Sequence, residues 1–111
     1  MNLLNIAPRS VLDVLAERIR QIEVKGYSPE RDDAHTFGEF ADAAGCYALA
    51  AARQVRGEVG TSPALHWPWA RYHWNPSTTR RNLVKAGALI LAEIDRLDRA
   101  ANLDKEEHTH G

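Results

Sequence analysis

The chain has 111 residues, the size of a single domain, and 44% hydrophobic and 26% charged residues give it a globular composition. Fourteen basic and fifteen acidic residues leave a net charge of -1, which argues against general nucleic-acid binding. No apolar run approaches the ~20 residues of a membrane span, and no signal-peptide pattern is visible. Because the single Cys46 cannot form an internal disulfide, we expect a cytoplasmic protein.

The first predicted helix spans about residues 10–25. Ser10 is a candidate N-cap, and Gly26 can end the helix because glycine enters the left-handed region at low cost. Aliphatic residues at helical spacing predict the buried side, namely Leu12, Leu15, Ile19 and Ile22.

The second predicted helix spans about residues 36–55. Thr36 and Glu39 have the T-x-x-E spacing of a capping box. Its interior is rich in alanine, whose small side chain lets another helix approach closely. The predicted apolar stripe consists of Phe37, Phe40, Ala44, Tyr47 and Ala51.

Residues 56–76 predict a long loop punctuated by glycine and proline. A loop of ~20 residues in a compact domain is often functional. This one contains all three tryptophans of the chain. We therefore expect the segment to fold back on the helices, to pack against another subunit or to line a pocket.

The third predicted helix spans about residues 76–101 and follows an Asn75-Pro76 start. Its apolar side is too wide for one neighbour, so we expect it to contact the second helix and a second copy of the chain. A heptad-like stripe runs along it at Leu83, Gly87, Ile90, Ile94 and Leu97. The fold class is thus all-α: one helical domain over 1–101 with a long Trp/Pro-rich loop, assembled as a homo-oligomer, and a disordered polar tail over 102–111.

Aromatic and arginine residues between the second and third helices predict a ligand site. Indole rings stack on flat bases, and guanidinium groups bind phosphates in a bidentate manner. The candidate residues are Trp67, Trp69, Arg71, Tyr72, Trp74, Arg80 and Arg81, with Asp33 or Glu93 as acceptors for ribose hydroxyls. This predicts a nucleotide-like small molecule held without catalysis and without a cofactor. The alternative is that the tryptophans fill the core and the arginines lie at its rim.

Carboxylates suggest a second hypothesis, a magnesium-dependent nucleotide pyrophosphatase. Glu39 and Asp42 have the E-x-x-D spacing with which all-α pyrophosphatases hold magnesium on a helix. Asp32 and Asp33 would complete the magnesium site, with Glu93 as a further ligand. The alternative is that Glu39 and Asp33 cap helices. A third hypothesis is a protein–protein inhibitor of a host factor, with tryptophan and arginine as interface hot spots.

Several sequence blocks resemble a family of short proteins encoded in phages and prophages of bacteria. The blocks are 26–35, 38–48, 67–69, 74–76 and 80–99, and the resemblance covers about residues 16–100. The usual family pattern has tryptophan at the position of Tyr27 and a bulky residue at the position of His73. By analogy, the resemblance implies a counter-defence role in the cytoplasm of a bacterial host. The protein would sequester a cyclic nucleotide or an ADP-ribose-type signal.

Overall fold

The computed structural model describes residues 2–24, 33–58, 60, 62–63 and 66–110. Its elements are α1 (Leu3–Ile6), α2 (Arg9–Glu23), α3 (Glu39–Val55), a 3-10 helix (Arg71–His73) and α4 (Thr79–His110). These residues contain no strand, so the predicted all-α class is confirmed. Within the same ranges, no helix combines the length and hydropathy needed to cross a bilayer.

Helices α3 and α4 form the centre of the domain and run antiparallel. Asn82, near the start of α4, donates to Gln54 at the end of α3 (3.1 Å), whereas Lys85 lies over the ring of Tyr47, two turns earlier in α3. Alanines at the contact let the two backbones approach closely. The buried cluster consists of Phe40, Ala43, Ala44, Tyr47, Ala86, Leu89 and Ala92.

The start of α3 differs from the prediction. Gly38 precedes the first helical residue with φ of 82°, a left-handed conformation that glycine adopts without strain. The helix therefore begins at Glu39, and Thr36 is not its cap. The Glu39 carboxylate instead accepts the backbone N–H of Phe37 (2.6 Å). Phe37 lies outside the helix and is 93% exposed, so its predicted place in the core stripe was wrong.

Helix α2 begins at Arg9, after Pro8, so Ser10 lies inside it rather than at its cap. Gly26, the predicted end of this helix, lies outside the described residues. α2 runs in the same direction as α4. The helix–helix ion pairs follow the same order on both, with Asp13 bound to Arg80 (2.8 Å) and Arg18 to Asp95 (3.4 Å).

The orientation of α2 is opposite to the prediction. Its polar residues Glu17, Arg18 and Gln21 are only 3–6% exposed. The predicted core stripe lies on the outside, with 37–45% exposure at Leu12, Leu15, Ile19 and Ile22. Sequence periodicity identifies the apolar side of a helix. It does not show which side is buried here, because the residues that compensate the charges on the polar side of α2 lie far away in the chain.

Helix α4 begins at Thr79 and continues to His110. The Thr78 hydroxyl accepts the backbone N–H of Arg81 (3.2 Å), so Thr78 caps the helix in place of Asn75. The predicted end near residue 101 was too early. No glycine or proline interrupts residues 88–110, and the first part of the predicted tail continues the helix.

Candidate functional site

The tryptophan segment, residues 66–76, packs against α3 and α4. The half-buried rings of Trp67, Trp69 and Trp74 contact the core cluster. The ring centroid of Tyr47 lies 4.6 Å from that of Trp74 and 5.8 Å from that of Trp67. The Tyr47 hydroxyl also accepts the backbone N–H of Asn75 (3.2 Å). Tyr47 therefore fixes this segment to α3.

Edge-to-face contacts continue from the tryptophan segment toward the start of α3. The Trp69 ring lies 5.5 Å from Trp67, 5.8 Å from Phe40 and 5.8 Å from His35. The Trp67 indole N–H donates to the Ala70 carbonyl (3.1 Å). Such contacts add to the stability gained from burial, so these indoles are held in defined positions.

Two arginines bind the buried carboxylate of Glu17, and a third binds a neighbouring carboxylate on α2. Arg20 donates two hydrogen bonds of 2.8 Å to the two carboxylate oxygens of Glu17. Arg81, from the first turn of α4, donates to the same carboxylate. Arg80 pairs instead with Asp13 on the preceding turn of α2 (2.8 Å). These pairs explain why the polar side of α2 faces α4.

The protonation state of Glu17 follows from these contacts. Burial alone would raise its pKa, but the hydrogen bonds and charges of Arg20 and Arg81 outweigh burial and lower the pKa to about 2. Glu17 is therefore ionised at neutral pH.

Two cavities adjoin at Glu17 and Arg20, which border both. We call the first the arginine cavity; it has a volume of about 390 Å³, and its polar lining consists of Asp13, Glu17, Arg20, Thr78, Arg80 and Arg81. We call the second the aromatic cavity; it has a volume of about 40 Å³, and beyond the shared pair it is bordered chiefly by Gln21, Tyr47, Trp67, Trp69, His73 and Lys85. Together they form a groove between α2, α4 and the tryptophan segment, with more cationic than anionic groups.

Gln21 presents an unusual polar atom in the aromatic cavity. The side chain is buried, and its amide nitrogen lies 3.4 Å from the Glu17 carboxylate. This contact orients the amide, and the Gln21 Oε1 atom then has no hydrogen-bond partner within the described residues. A buried acceptor without a donor is unfavourable by roughly 1–3 kcal/mol. The atom is inaccessible to solvent, so a donor on a ligand reaches it only when the neighbouring side chains move.

The groove brings together four of the predicted site residues: Trp67, Trp69, Arg80 and Arg81. The others lie elsewhere. Trp74 packs behind Tyr47, and the exposed Tyr72 ring lies 4.3 Å from the ring of His73. Arg71 is exposed and borders neither cavity.

Asp33 and Glu93, the predicted acceptors for ribose hydroxyls, also lie outside the groove. Asp33 accepts hydrogen bonds of 2.9 and 3.1 Å from Arg99, and Glu93 accepts one of 2.5 Å from Arg96. The hydrogen bond that Arg96 donates to Glu93 also raises the pKa of Arg96, despite burial of the guanidinium. Both carboxylates contact the second half of α4, whereas the groove lies against its first half.

Among the described residues, most carboxylates of the magnesium hypothesis bind side chains and backbone groups of the chain itself. Glu39 lies 3.1 Å from the imidazole Nδ1 of His35 and accepts the N–H of Phe37. Burial would raise the pKa of Glu39, but hydrogen bonds from His35 and backbone amides lower it overall. Asp42 is exposed on α3, and Asp32 lies outside the described residues. Within the described ranges, no three His, Cys, Asp or Glu side chains are placed to share a metal ion.

Several groove residues were not predicted as site residues, among them Glu17, Arg20, Gln21, His73 and Lys85. The first three follow an i, i+3, i+4 spacing and therefore share one side of α2. That cluster was visible in the sequence, but a polar helix side normally faces solvent, so nothing there distinguished it from an ordinary surface.

The chain matches no protein-family model, no curated protein and no solved structure.

Proposed function

We propose that the protein binds a small phosphorylated molecule with a flat ring, such as a nucleotide, in the groove between α2 and α4. The observation that carries the proposal is the adjacency of the two cavities. Because Glu17 and Arg20 border both, the cavity that contains Arg80 and Arg81 is next to the cavity that contains the two indole rings. A phosphate and a base of one small molecule could occupy the two cavities together.

The arginine cavity suits the phosphate group. Its volume of about 390 Å³ falls within the range of roughly 300–1,000 Å³ that small-molecule sites occupy. Arg80 and Arg81 lie in the first turn of α4, at the positive end of the helix dipole. The Arg80 side chain is 55% exposed, so it keeps free N–H donors while it pairs with Asp13.

The aromatic cavity suits the ring. Stacking of a base on an indole contributes about 1–3 kcal/mol. Gln21 Oε1 would accept a hydrogen bond from a ring amino group, which favours bases that carry one. The cavity of about 40 Å³ is smaller than a base, so binding requires its exposed rim at His73 to move aside.

The first experiment titrates the full chain with ADP, adenosine and inorganic pyrophosphate. ADP should bind most tightly and quench tryptophan emission, because its base contacts Trp67 and Trp69. Adenosine should bind more weakly and also quench. Pyrophosphate should also bind, and its binding should be detected by calorimetry with little change in tryptophan emission.

A pair of arginine variants tests the phosphate contact. Arg80→Ala should weaken ADP binding roughly tenfold or more and leave adenosine binding unchanged, since a charge-assisted hydrogen bond is lost. Arg56→Ala is the matched control: Arg56 is 59% exposed and pairs with Glu58 at 2.9 Å, outside the groove. If ADP, AMP and a cyclic dinucleotide all fail to bind at millimolar concentration, or if the two variants behave alike, the proposal is wrong.

The proposal includes the role implied by the resemblance to phage and prophage proteins. In that role the ligand is held intact, as a sequestered signal in the cytoplasm of a bacterial host. Incubation with ADP and Mg²⁺, followed by denaturation and analysis of the released nucleotide, tests this part. Recovery of intact ADP supports sequestration, and release of AMP and phosphate would favour the hydrolase hypothesis instead.

A further inference from the structure

Helix α2 exposes a row of aliphatic side chains on the side away from the groove. Leu12, Leu15, Ile19 and Ile22 keep 37–45% of their surface in contact with solvent. An amphipathic helix on a globular domain normally turns such a row toward the interior. In a single copy of this chain, the inner position is taken by the polar residues that bind the arginines of α4.

Helix α4 exposes a second aliphatic row. The spacing of Leu83, Ile90, Ile94 and Leu97 places them on one side of the helix, and each is 47–52% exposed. Gly87 lies in the same row and borders α2, because a Cβ atom added to it would lie 3.1 Å from the methyl groups of Val14. The row therefore lies next to the contact between α2 and α4.

Both rows point to the same side of the molecule. At about 100° per residue, the α4 row lies roughly 90° to one side of the residues that face α2. Counted in the same way, the α2 row is rotated about the helix axis by roughly 130° from the residues that face α4, and this rotation has the opposite sense. Because the helices run in the same direction, these opposite rotations bring the rows together. We call the combined surface the aliphatic face; it consists of Leu12, Leu15, Ile19, Ile22, Leu83, Ile90, Ile94 and Leu97.

We propose that a second copy of this chain covers the aliphatic face, so that α2 and α4 of the two copies form a four-helix interface. The eight side chains expose on the order of 700 Å² per copy, close to the roughly 800 Å² that each partner contributes to a standard protein interface. All eight are leucine or isoleucine. Such a surface meets its own copy across a two-fold axis without placing like charges together.

The interface and the groove use different sides of α2. The groove is bordered by Glu17, Arg20 and Gln21. The aliphatic row lies on the opposite side of the helix from these three residues. A second copy and a ligand can therefore bind at the same time. The inference does not rest on the proposed ligand, and each can fail without the other.

The experiment measures the mass of the full chain by sedimentation equilibrium. The wild-type protein should have twice the chain mass of 12.4 kDa. Ile94→Glu should raise the dissociation constant of the dimer at least 100-fold and give a folded monomer. Leu49→Glu is the matched control, since Leu49 on α3 is as exposed as Ile94, 47% in each case, but lies outside the aliphatic face.

A second variant tests the contribution of α2. Ile19→Glu should dissociate the dimer as Ile94→Glu does, with helix content by circular dichroism unchanged. The proposal is overturned if the wild-type chain is a monomer, if Ile94→Glu and Leu49→Glu leave the same mass, or if Ile19→Glu remains dimeric.

Discussion

Arg81 donates a hydrogen bond to Glu17 across 64 residues of sequence, and this pair joins the first turn of α4 to the polar side of α2. The Glu17 carboxylate is nearly inaccessible to solvent and also accepts two hydrogen bonds from Arg20. A buried charge is tolerated only when it is paired and hydrogen-bonded. Glu17 therefore connects α2 to α4 and also lines the groove between them.

The substitution Glu17→Gln should destabilise the fold by about 2–3 kcal/mol, because a neutral amide cannot compensate two guanidinium groups at a buried position. Urea unfolding followed by circular dichroism measures the change. The matched variant Asp13→Asn removes the more exposed partner of Arg80 and should cost less than ~1 kcal/mol. Equal losses in the two variants would show that Glu17 has no special role.

Acid should destabilise the protein through the same carboxylate. The pKa of Glu17 is lowered from 4.5 to about 2 in the folded chain. A lowered pKa means that the ionised form stabilises the fold. This stability is complete above the unfolded pKa and is lost as the pH falls toward the folded pKa. The corresponding contribution at neutral pH is about 3 kcal/mol.

Melting temperatures of the wild-type chain and Glu17→Gln between pH 7 and pH 2 separate this carboxylate from the others. The difference in melting temperature between the wild-type chain and Glu17→Gln should decrease steadily below pH 4.5. A gap that stays constant down to pH 2 would show that Glu17 keeps an ordinary pKa.

The close approach of α2 and α4 at Gly87 should make this position intolerant of alanine. A new Cβ would lie 3.1 Å from both methyl groups of Val14, closer than ordinary contact. The gain in helix propensity from Gly→Ala, up to about 1 kcal/mol, should therefore be cancelled or reversed in Gly87→Ala. Urea denaturation gives the free energy of unfolding.

Gly45→Ala on α3 is the control for Gly87→Ala, because no described atom outside its own stretch of helix lies within 4 Å of the new Cβ and only the propensity gain remains. It should stabilise the chain by about 0.5–1 kcal/mol. In the Val14→Ala background the two glycine substitutions should become equivalent. If they are already equivalent in the wild-type background, the helices are further apart than the structure places them.

Asn82→Ala should cost about 2 kcal/mol, since the side chain is fully buried and makes three hydrogen bonds. Its carbonyl accepts the Ser77 N–H (2.7 Å), and its amide donates to the Ser77 carbonyl and to Gln54 (3.1 Å each). Gln54→Ala leaves the two bonds to Ser77 and should cost less than ~1 kcal/mol. Thermal unfolding of both variants gives the comparison, and the reverse order would contradict it.

The sequence predicted the central helix pair well. The stripe Phe40, Ala44, Tyr47 and Ala51 is buried, because the partner that covers it is an apolar side of α4 of the same chain. Helix starts were less predictable. Capping residues were recognised by type at Thr36 and Asn75, but Gly38 and Thr78 hold these positions, since the backbone before each helix depends on how the loop packs.

The orientation of α2 could not be predicted from its own residues. Its aliphatic row is a regular core pattern, and the choice of side depends on Arg80 and Arg81, more than 60 positions away. The residues that line the groove were predictable only in part, for the same reason. Trp67, Trp69, Arg80 and Arg81 were predicted because aromatic and guanidinium side chains are informative by type, whereas Gln21 matters only through its burial.

The tryptophan segment is held at both ends: the Trp67 ring packs against Tyr47, and the Asn75 N–H donates to the Tyr47 hydroxyl. Just beyond the segment, the Ser77 N–H donates to Asn82 on α4. The backbone between Trp67 and Ser77 therefore has a fixed span, and an inserted residue there would displace rings from the core. The turn at Gly57 is different, since Gly57 is exposed and, beyond its chain neighbours, no described atom lies within 4 Å of a Cβ added there. A peptide tag or fluorescent label can therefore be inserted at that turn. The tryptophan segment further along the chain should tolerate an inserted residue no better than a buried element of the core does.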